Sequence, residues 1–213
     1  MTTVIIIAKE TLPGRAKTRL HPAISLEAAA DVAAASLADT LSTVSDLPAS
    51  RRILLFDGMT PPPGAERFEV VQQAAGGLDE RIAAIFDAVS GRAVLIGMDT
   101  PQVSAEHLGH VFEDSPGIDA WFGPAKDGGF WALGMEHPRG DLVRGVPMSR
   151  DDTGAVQLSR LHLAGLRVKI LPTLTDVDTI DSAETVAALA PHTRFAGALA
   201  NALEPAVLEG ATV

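Results

Sequence analysis

Val4-Ile5-Ile6-Ile7-Ala8 runs directly into Lys9-Glu10-Thr11-Leu12-Pro13-Gly14-Arg15-Ala16-Lys17-Thr18-Arg19-Leu20. A continuous β-branched run with no polar alternation reads as a strand buried on both faces, as in parallel sheets covered by helices. The loop behind it carries four cations, Lys9, Arg15, Lys17 and Arg19, in a chain of 27 acidic and 17 basic side chains with a formal net charge of −10. A loop at the carboxyl end of a first parallel strand is where open α/β sheets bind ligands, and these charges suit a di- or triphosphate; the alternative is a solvated loop. No Walker A loop is present, because the glycine before Lys17 is missing, and no G-x-G-x-x-G fingerprint occurs.

Further along the chain, β-branched and aliphatic runs alternate with Ala-rich amphipathic ones, which reads as βαβ units feeding a mostly parallel sheet. Helices are expected over 26–47, 78–89, 104–112, 152–164 and 182–189. Strands are expected over 53–56, 68–72, 94–96 and 168–171. The apolar runs 120–123 and 130–134, joined by Pro124-Ala125-Lys126-Asp127-Gly128-Gly129, form either a hairpin or a bent return into the sheet. The expectation is one domain over 1–213, with a peripheral, loosely polar tail from about 191.

Composition removes several function classes. The chain has no cysteine, so disulfides, thiolate zinc sites, iron–sulfur clusters and a cysteine nucleophile are excluded. The acidic balance argues against a broad grip on nucleic acid, so any phosphate-binding charge must be local. Apolar stretches are strand-sized, well short of the ~20 residues of a membrane span, and the opening Met1-Thr2-Thr3-Val4 lacks a secretory pattern. A cytoplasmic protein is the expectation. The six histidines, at 21, 107, 110, 137, 162 and 192, show no metal-ligand spacing, and G-x-S-x-G is absent.

Three more segments carry chemistry. Leu95-Ile96-Gly97-Met98-Asp99-Thr100-Pro101 ends an apolar strand on an aspartate, where a carboxylate can meet Mg²⁺ or Mn²⁺ bridging substrate phosphates, or simply cap the next turn. In Lys126-Asp127-Gly128-Gly129 the paired glycines let backbone approach a ligand closely, although Asp-Gly-Gly is also an ordinary turn. In Thr175-Asp176-Val177-Asp178-Thr179-Ile180-Asp181, Asp181 or Ser182 is expected to cap the next helix, leaving Asp176 and Asp178 free as ligands. Asp178 follows a strand as Asp99 does, so both should reach one sheet edge. Too little chain follows this string for it to open a haloacid-dehalogenase phosphatase fold.

Taken in order, Ala8-Lys9 through Pro13-Gly14-x-x-Lys17-Thr18-Arg19-Leu20, Gln73 to Arg81, Gly97-x-Asp99-x-Pro101, Gly123-Pro124-Ala125-x-Asp127-Gly128-Gly129-Phe130 and Asp176-x-Asp178-Thr179 resemble the bacterial glycosyltransferase-like family of largely unassigned function, which has the GT-A (nucleotide-diphospho-sugar transferase) fold. The resemblance spans positions 4 to about 190. The first loop is also similar to that of the phospholactate guanylyltransferases. Met98 stands where the pattern has a small polar residue, and Asp79 where it has a glycine.

The resemblance implies a three-layer α/β/α domain with a mixed, mostly parallel sheet. It implies Asp99, Asp127 and Lys17 at the chemistry, and Lys9, Gly14, Lys17, Arg19, Gln73, Gly128 and Gly129 against the substrate. Asp99 and Asp178 would take Mg²⁺ or Mn²⁺. The partners would be a nucleotide or nucleotide sugar and a small-molecule acceptor, with no nucleic acid and no membrane span; an oligomer is compatible with the sequence. Glycosyl transfer from a nucleotide sugar ranks first, nucleotidyl transfer with release of pyrophosphate second, and a catalytically silent nucleotide-binding module third.

Overall fold

The computed structural model describes residues 1–204. The chain runs β1 (Thr2–Lys9), α1 (Leu26–Asp46), β2 (Arg51–Asp57), β3 (Glu69–Gln72), α2 (Leu78–Ala88), β4 (Arg92–Gly97), α3 (Ala105–Phe112), β5 (Ala120–Pro124), β6 (Phe130–Met135), α4 (Thr153–Leu163), β7 (Val168–Ile170), α5 (Ile180–Leu189) and α6 (Arg194–Leu203). The seven strands form one sheet in the order β3-β2-β1-β4-β6-β5-β7. Only β6 runs against its neighbours, β4 and β5, so the sheet is mixed and mostly parallel. The two apolar runs either side of the glycine turn therefore form a hairpin, inserted so that β6 sits next to β4.

Because side chains alternate across a strand, β1 feeds two cores. Val4, Ile6 and Ala8 pack on one face with Leu37, Leu41 and Val44 of α1 and Leu108 and Val111 of α3. Ile5 packs on the other with Ile82, Ile85 and Phe86 of α2 and Leu161 of α4. Helices thus cover both faces of the sheet, giving the three layers expected. All three parallel strands at the centre end on the same edge, and the loops there hold the candidate site.

Two expectations need correction. The helix expected over 182–189 begins at Ile180, because Thr179, rather than Asp181 or Ser182, is its N-cap: the Thr179 hydroxyl accepts from the Ser182 amide and the Ser182 hydroxyl accepts from the Thr179 amide. More consequentially, the residues after Pro191 are not a peripheral tail as far as they are described. Residues 194–203 form α6, and Phe195 and Leu199 are buried against Ala29 and Val32 of α1 and Val186 of α5. Asp39, buried on the middle of α1, accepts from the backbone amides of Arg194 at 3.1 Å and Phe195 at 2.8 Å. An anion on the free amides at a helix N-terminus neutralises the positive end of the macrodipole and fixes α6 to α1. The rest of the expected tail, from 205, lies outside the described residues.

His107 supplies a second local device. Its Nδ1 lies 3.0 Å from the Ser104 amide and 2.9 Å from the Ser104 hydroxyl at the start of α3, and its ring meets Trp131 edge to face. Burial holds the His107 pKa below the ordinary imidazole value, with Glu106 opposing.

Two outcomes follow from these contacts. Phe195→Ala should lower the unfolding free energy by about 3–5 kcal/mol, the cost of emptying a buried aromatic site, measured by urea denaturation. Because the folded protein resists protonating His107, its contribution is present above about pH 6.5 and is lost as pH falls below that value. Denaturation midpoints measured from about pH 7 to about pH 5 should therefore fall for the wild type and fall less for His107→Gln, which keeps an acceptor but does not titrate.

Candidate active site

The loop after β1 folds over the sheet edge and turns its second half inward. Ala16 and Leu20 are buried and anchor it, Leu20 among Ile24, Val32 and Val177. Lys17, between them, adopts a left-handed backbone conformation at φ 48° and ψ 36°, sparsely populated for a residue with a side chain. That turn sends its side chain beneath the loop, where it is only 7% exposed. Its Nζ lies 2.7 Å from Asp99 Oδ1 and 3.6 Å from Asp178 Oδ1, and it donates to the Val177 carbonyl. Arg19 reaches the other oxygen of Asp178 at 3.4 Å.

Asp99 and Asp178 are held by their own loops. The Val177 amide donates to the Asp99 carbonyl at 2.9 Å, and the Gln102 side chain donates to the Thr175 carbonyl at 2.7 Å, so the segments after β4 and β7 are fastened side by side. The Ser36 hydroxyl of α1 donates to the Met98 carbonyl, and the Met98 sulfur faces the Lys9 amide at 3.4 Å. A large apolar residue at position 98 is accommodated because it is buried inward. With one ammonium between them, Asp99 and Asp178 come far closer than the roughly 12 Å beyond which two carboxylates could not share one ion.

All four cations of the first loop, Lys9, Arg15, Lys17 and Arg19, line a cavity of roughly 180 Å³ together with Asp99 and Asp178. A larger cleft of roughly 690 Å³ continues from it along the sheet edge, past Asp127, Gly129 and Trp131 to Ser149 and Arg150. Asp127 is exposed, and its Oδ1 accepts from the Gly129 amide at 2.8 Å, the local bond of an Asx turn. Asp176 is the most perturbed acid. Burial, with the Asp127 and Asp99 carboxylates adding to it and Lys17 opposing, pushes its carboxyl up to about 7. Its Oδ1 is buried with no hydrogen-bond partner.

Gly14 and Gln73, both expected against the substrate, stand elsewhere or are already engaged. Gly14, with φ 72°, shapes the turn of the first loop but lines neither cavity. Gln73 lines the cleft, yet its amide bridges the Ala8 and Leu55 carbonyls and its oxygen accepts from Arg81, which also pairs with Asp57. Asp79, the other departure from the family pattern, sits in the first turn of α2 and accepts from the Gly145 amide.

Sequence reasoning missed the segment Ser149-Arg150-Asp151, which closes the far end of the cleft. Ser149 is the second non-glycine residue with positive φ, at 59°. Gly128, at φ 89°, presses on the Asp151 carbonyl so closely that a Cβ would collide with it, and Gly128 contributes to the wall in this way rather than by lining the cleft. In return the Gly154 amide donates to the Gly128 carbonyl at 2.8 Å. The available signal was Asp151-Asp152-Thr153-Gly154 ahead of an apolar helix, whose glycine offers the close approach that the Gly128-Gly129 turn needs. Among the described residues, no group of three or more His, Cys, Asp or Glu side chains is poised to hold a metal ion, and no helix is long and apolar enough to cross a membrane.

This architecture is shared with solved structures. A candidate nucleotide-diphospho-sugar transferase from Desulfovibrio desulfuricans G20 superposes with a TM-score of 0.83 at 22% identity, covering 94% of each chain. CMP:2-keto-3-deoxy-manno-octonic acid synthetase complexed with CTP gives 0.55 at 12% identity, over 89% of this chain and 98% of that one. Rv0371c from Mycobacterium tuberculosis H37Rv, in complex with manganese, gives 0.50 at 19% identity, over 87% and 96%. At these identities the likeness shows the fold, that of the GT-A nucleotide-diphospho-sugar transferases. No curated protein matches the sequence. The family model DUF2064, described as an uncharacterized protein conserved in bacteria, matches residues 29–150, more than half of the chain, and the protein therefore belongs to that family.

Proposed function

We propose that the protein is a metal-assisted transferase acting on a nucleotide-activated sugar, with the donor's diphosphate at the Lys17 corner and the acceptor toward Trp131 and Arg150. The observation that carries this reading is the convergence of four cations and the carboxylates of Asp99 and Asp178 on one small cavity, in a protein that is otherwise strongly acidic. Phosphate groups are the ligands such a cavity suits, since cationic side chains bind them through charge-assisted hydrogen bonds. The fold shared with a candidate nucleotide-diphospho-sugar transferase over nearly the whole chain supports the sugar-transfer form.

The donors at this corner fit a hard divalent cation. They are carboxylate oxygens, the type Mg²⁺ and Mn²⁺ prefer, and beside them the buried Asp176 Oδ1 has no hydrogen-bond partner. Asp99 and Asp178 would hold the ion, which when bound would neutralise charge on the diphosphate. A manganese complex of a similarly folded protein is consistent with this.

In the reaction, Arg15, Lys17 and Arg19 would stabilise negative charge as it builds on the departing phosphate. Asp127, beside the Gly128-Gly129 turn, faces the cleft where an acceptor hydroxyl would lie, and there it would accept that proton. Trp131, fixed by its indole N–H to the Pro172 carbonyl at 2.9 Å and by the edge of His107, would supply an apolar wall.

A second reading, nucleotidyl transfer, draws on the same cavity: four cations would also suit the pyrophosphate released when a nucleoside triphosphate is attacked at its α-phosphorus. Mass spectrometry of products distinguishes the two. With Mn²⁺ and nucleotide sugars but no acceptor, the expected products are nucleoside diphosphate and free sugar, formed slowly as water takes the glycosyl group. Pyrophosphate from a nucleoside triphosphate, with every nucleotide sugar intact, would establish the second reading instead. Asp99→Asn should keep the native circular dichroism while weakening Mn²⁺-dependent nucleotide binding about ten-fold or more, or about 1.4 kcal/mol by calorimetry. Equal affinity in both proteins would remove Asp99 from the metal.

A further inference from the structure

We infer that Lys17 is a built-in substitute for the divalent cation, and that a metal ion enters only with the phosphate groups that draw Lys17 away. The inference rests on the metal reading above. Its basis is positional: the Lys17 ammonium stands between Asp99 Oδ1 at 2.7 Å and Asp178 Oδ1 at 3.6 Å and donates to the Val177 carbonyl. Those are oxygen donors of the kind a magnesium or manganese ion takes, and they come from the two loops that would have to supply it.

Lys17 is not a surface lysine that visits this position among many. Its side chain is 7% exposed, and the left-handed turn at φ 48°, flanked by buried Ala16 and Leu20, directs it here. An ion ligated by Asp99 Oδ1 and Asp178 Oδ1 would occupy the space in which the Lys17 ammonium lies, 2.7 Å and 3.6 Å from those same oxygens. Occupancy is therefore exclusive. The way out is present as well, since Lys17 also lines the cavity with Lys9, Arg15 and Arg19, where an arriving phosphate offers the ammonium a new anionic partner. Rotation about its flexible four-carbon stem would carry the ammonium from one set of partners to the other.

The consequence is coupling. A metal ion offered alone must displace Lys17, and its apparent affinity is reduced by the small fraction of molecules with Lys17 elsewhere. Phosphate groups that capture Lys17 remove that penalty, so metal and phosphate binding reinforce each other, necessarily to the same degree. Free protein keeps its acidic cluster neutralised by its own side chain and does not load metal in the absence of substrate.

The experiment is equilibrium dialysis, counting Mn²⁺ retained per protein with Mn²⁺ alone and with added inorganic pyrophosphate. Wild type should retain Mn²⁺ about ten-fold more tightly when pyrophosphate is present. Lys17→Met and Lys17→Gln should bind Mn²⁺ alone about ten-fold more tightly than wild type, whereas Lys17→Arg, which keeps the charge, should stay weak. If Mn²⁺ alone binds wild type as tightly as with pyrophosphate, the inference is overturned whether or not the variants fold. It is also overturned if Lys17→Met gains nothing while pyrophosphate still promotes Mn²⁺ binding to wild type, a result that leaves the metal site itself standing. Absence of protein-retained Mn²⁺ in every form and condition would overturn both the inference and the metal reading.

Discussion

The ammonium of Lys17 between Asp99 and Asp178 joins three segments that are remote in sequence: the loop after β1, the end of β4 and the segment after β7. Four carboxylates, those of Asp99, Asp127, Asp176 and Asp178, converge on this edge, and burial first, with the neighbouring carboxylates adding to it, pushes the Asp176 carboxyl upward. Without a cation among them, such a group at the end of a buried sheet would be costly. The protein accepts a left-handed turn at Lys17 in order to place one. Backbone conformations of this kind persist where their surroundings over-determine them, and here the buried Ala16 and Leu20 do so.

The frame that holds this arrangement steady depends on α1, which packs on two sides. Leu37, Leu41 and Val44 face the sheet, while Ala29 and Val32 face α5 and α6. Small residues allow close approach on the second side, and Ser36, on the same helix, ties down the Met98 carbonyl next to Asp99. The third apolar cluster contains Leu20, Ile24 and Val177 as well as Phe195 and Leu199. The C-terminal helix therefore buttresses the loop that carries Lys17 and the segment that carries Asp178.

What was legible in the sequence was what is local. The Val4–Ala8 run, the strand end at Asp99, the glycine turn after β5 and the Asp176-x-Asp178 string each announce themselves within a few residues, because strand periodicity, turn chemistry and free carboxylates are short-range signals. The ion pair of Lys17 was not legible. The same four cations read equally well as phosphate ligands or as solvated charge until the fold brought Asp99 and Asp178 beneath them. Ser149-Arg150-Asp151 was missed for a similar reason: its only role in the sequence is to precede a helix, and its packing against Gly128 is purely tertiary. The helix after Pro191 was obscured because its docking depends on a buried carboxylate, Asp39, in a helix that otherwise reads as efficient Ala-rich packing.

The reversed direction of β6 explains how one edge carries two distinct corners of the cleft. In a wholly parallel sheet, each strand offers its carboxyl end to the ligand and must leave through a crossover that returns the chain to the opposite edge. Here β5 arrives at the edge and β6 departs from it, so the turn between them, Ala125 to Gly129, stays on the ligand side. Pairing β6 beside β4 sets that turn next to Asp99. Glycines at 128 and 154 then let the start of α4 close against the turn, bringing Ser149 and Arg150 to the far wall of the cleft. The cationic corner and the glycine-turn corner are thus separate structural units that share a floor. On the proposed reading, substitutions in the second would change which group enters the cleft without disturbing the charges of the first.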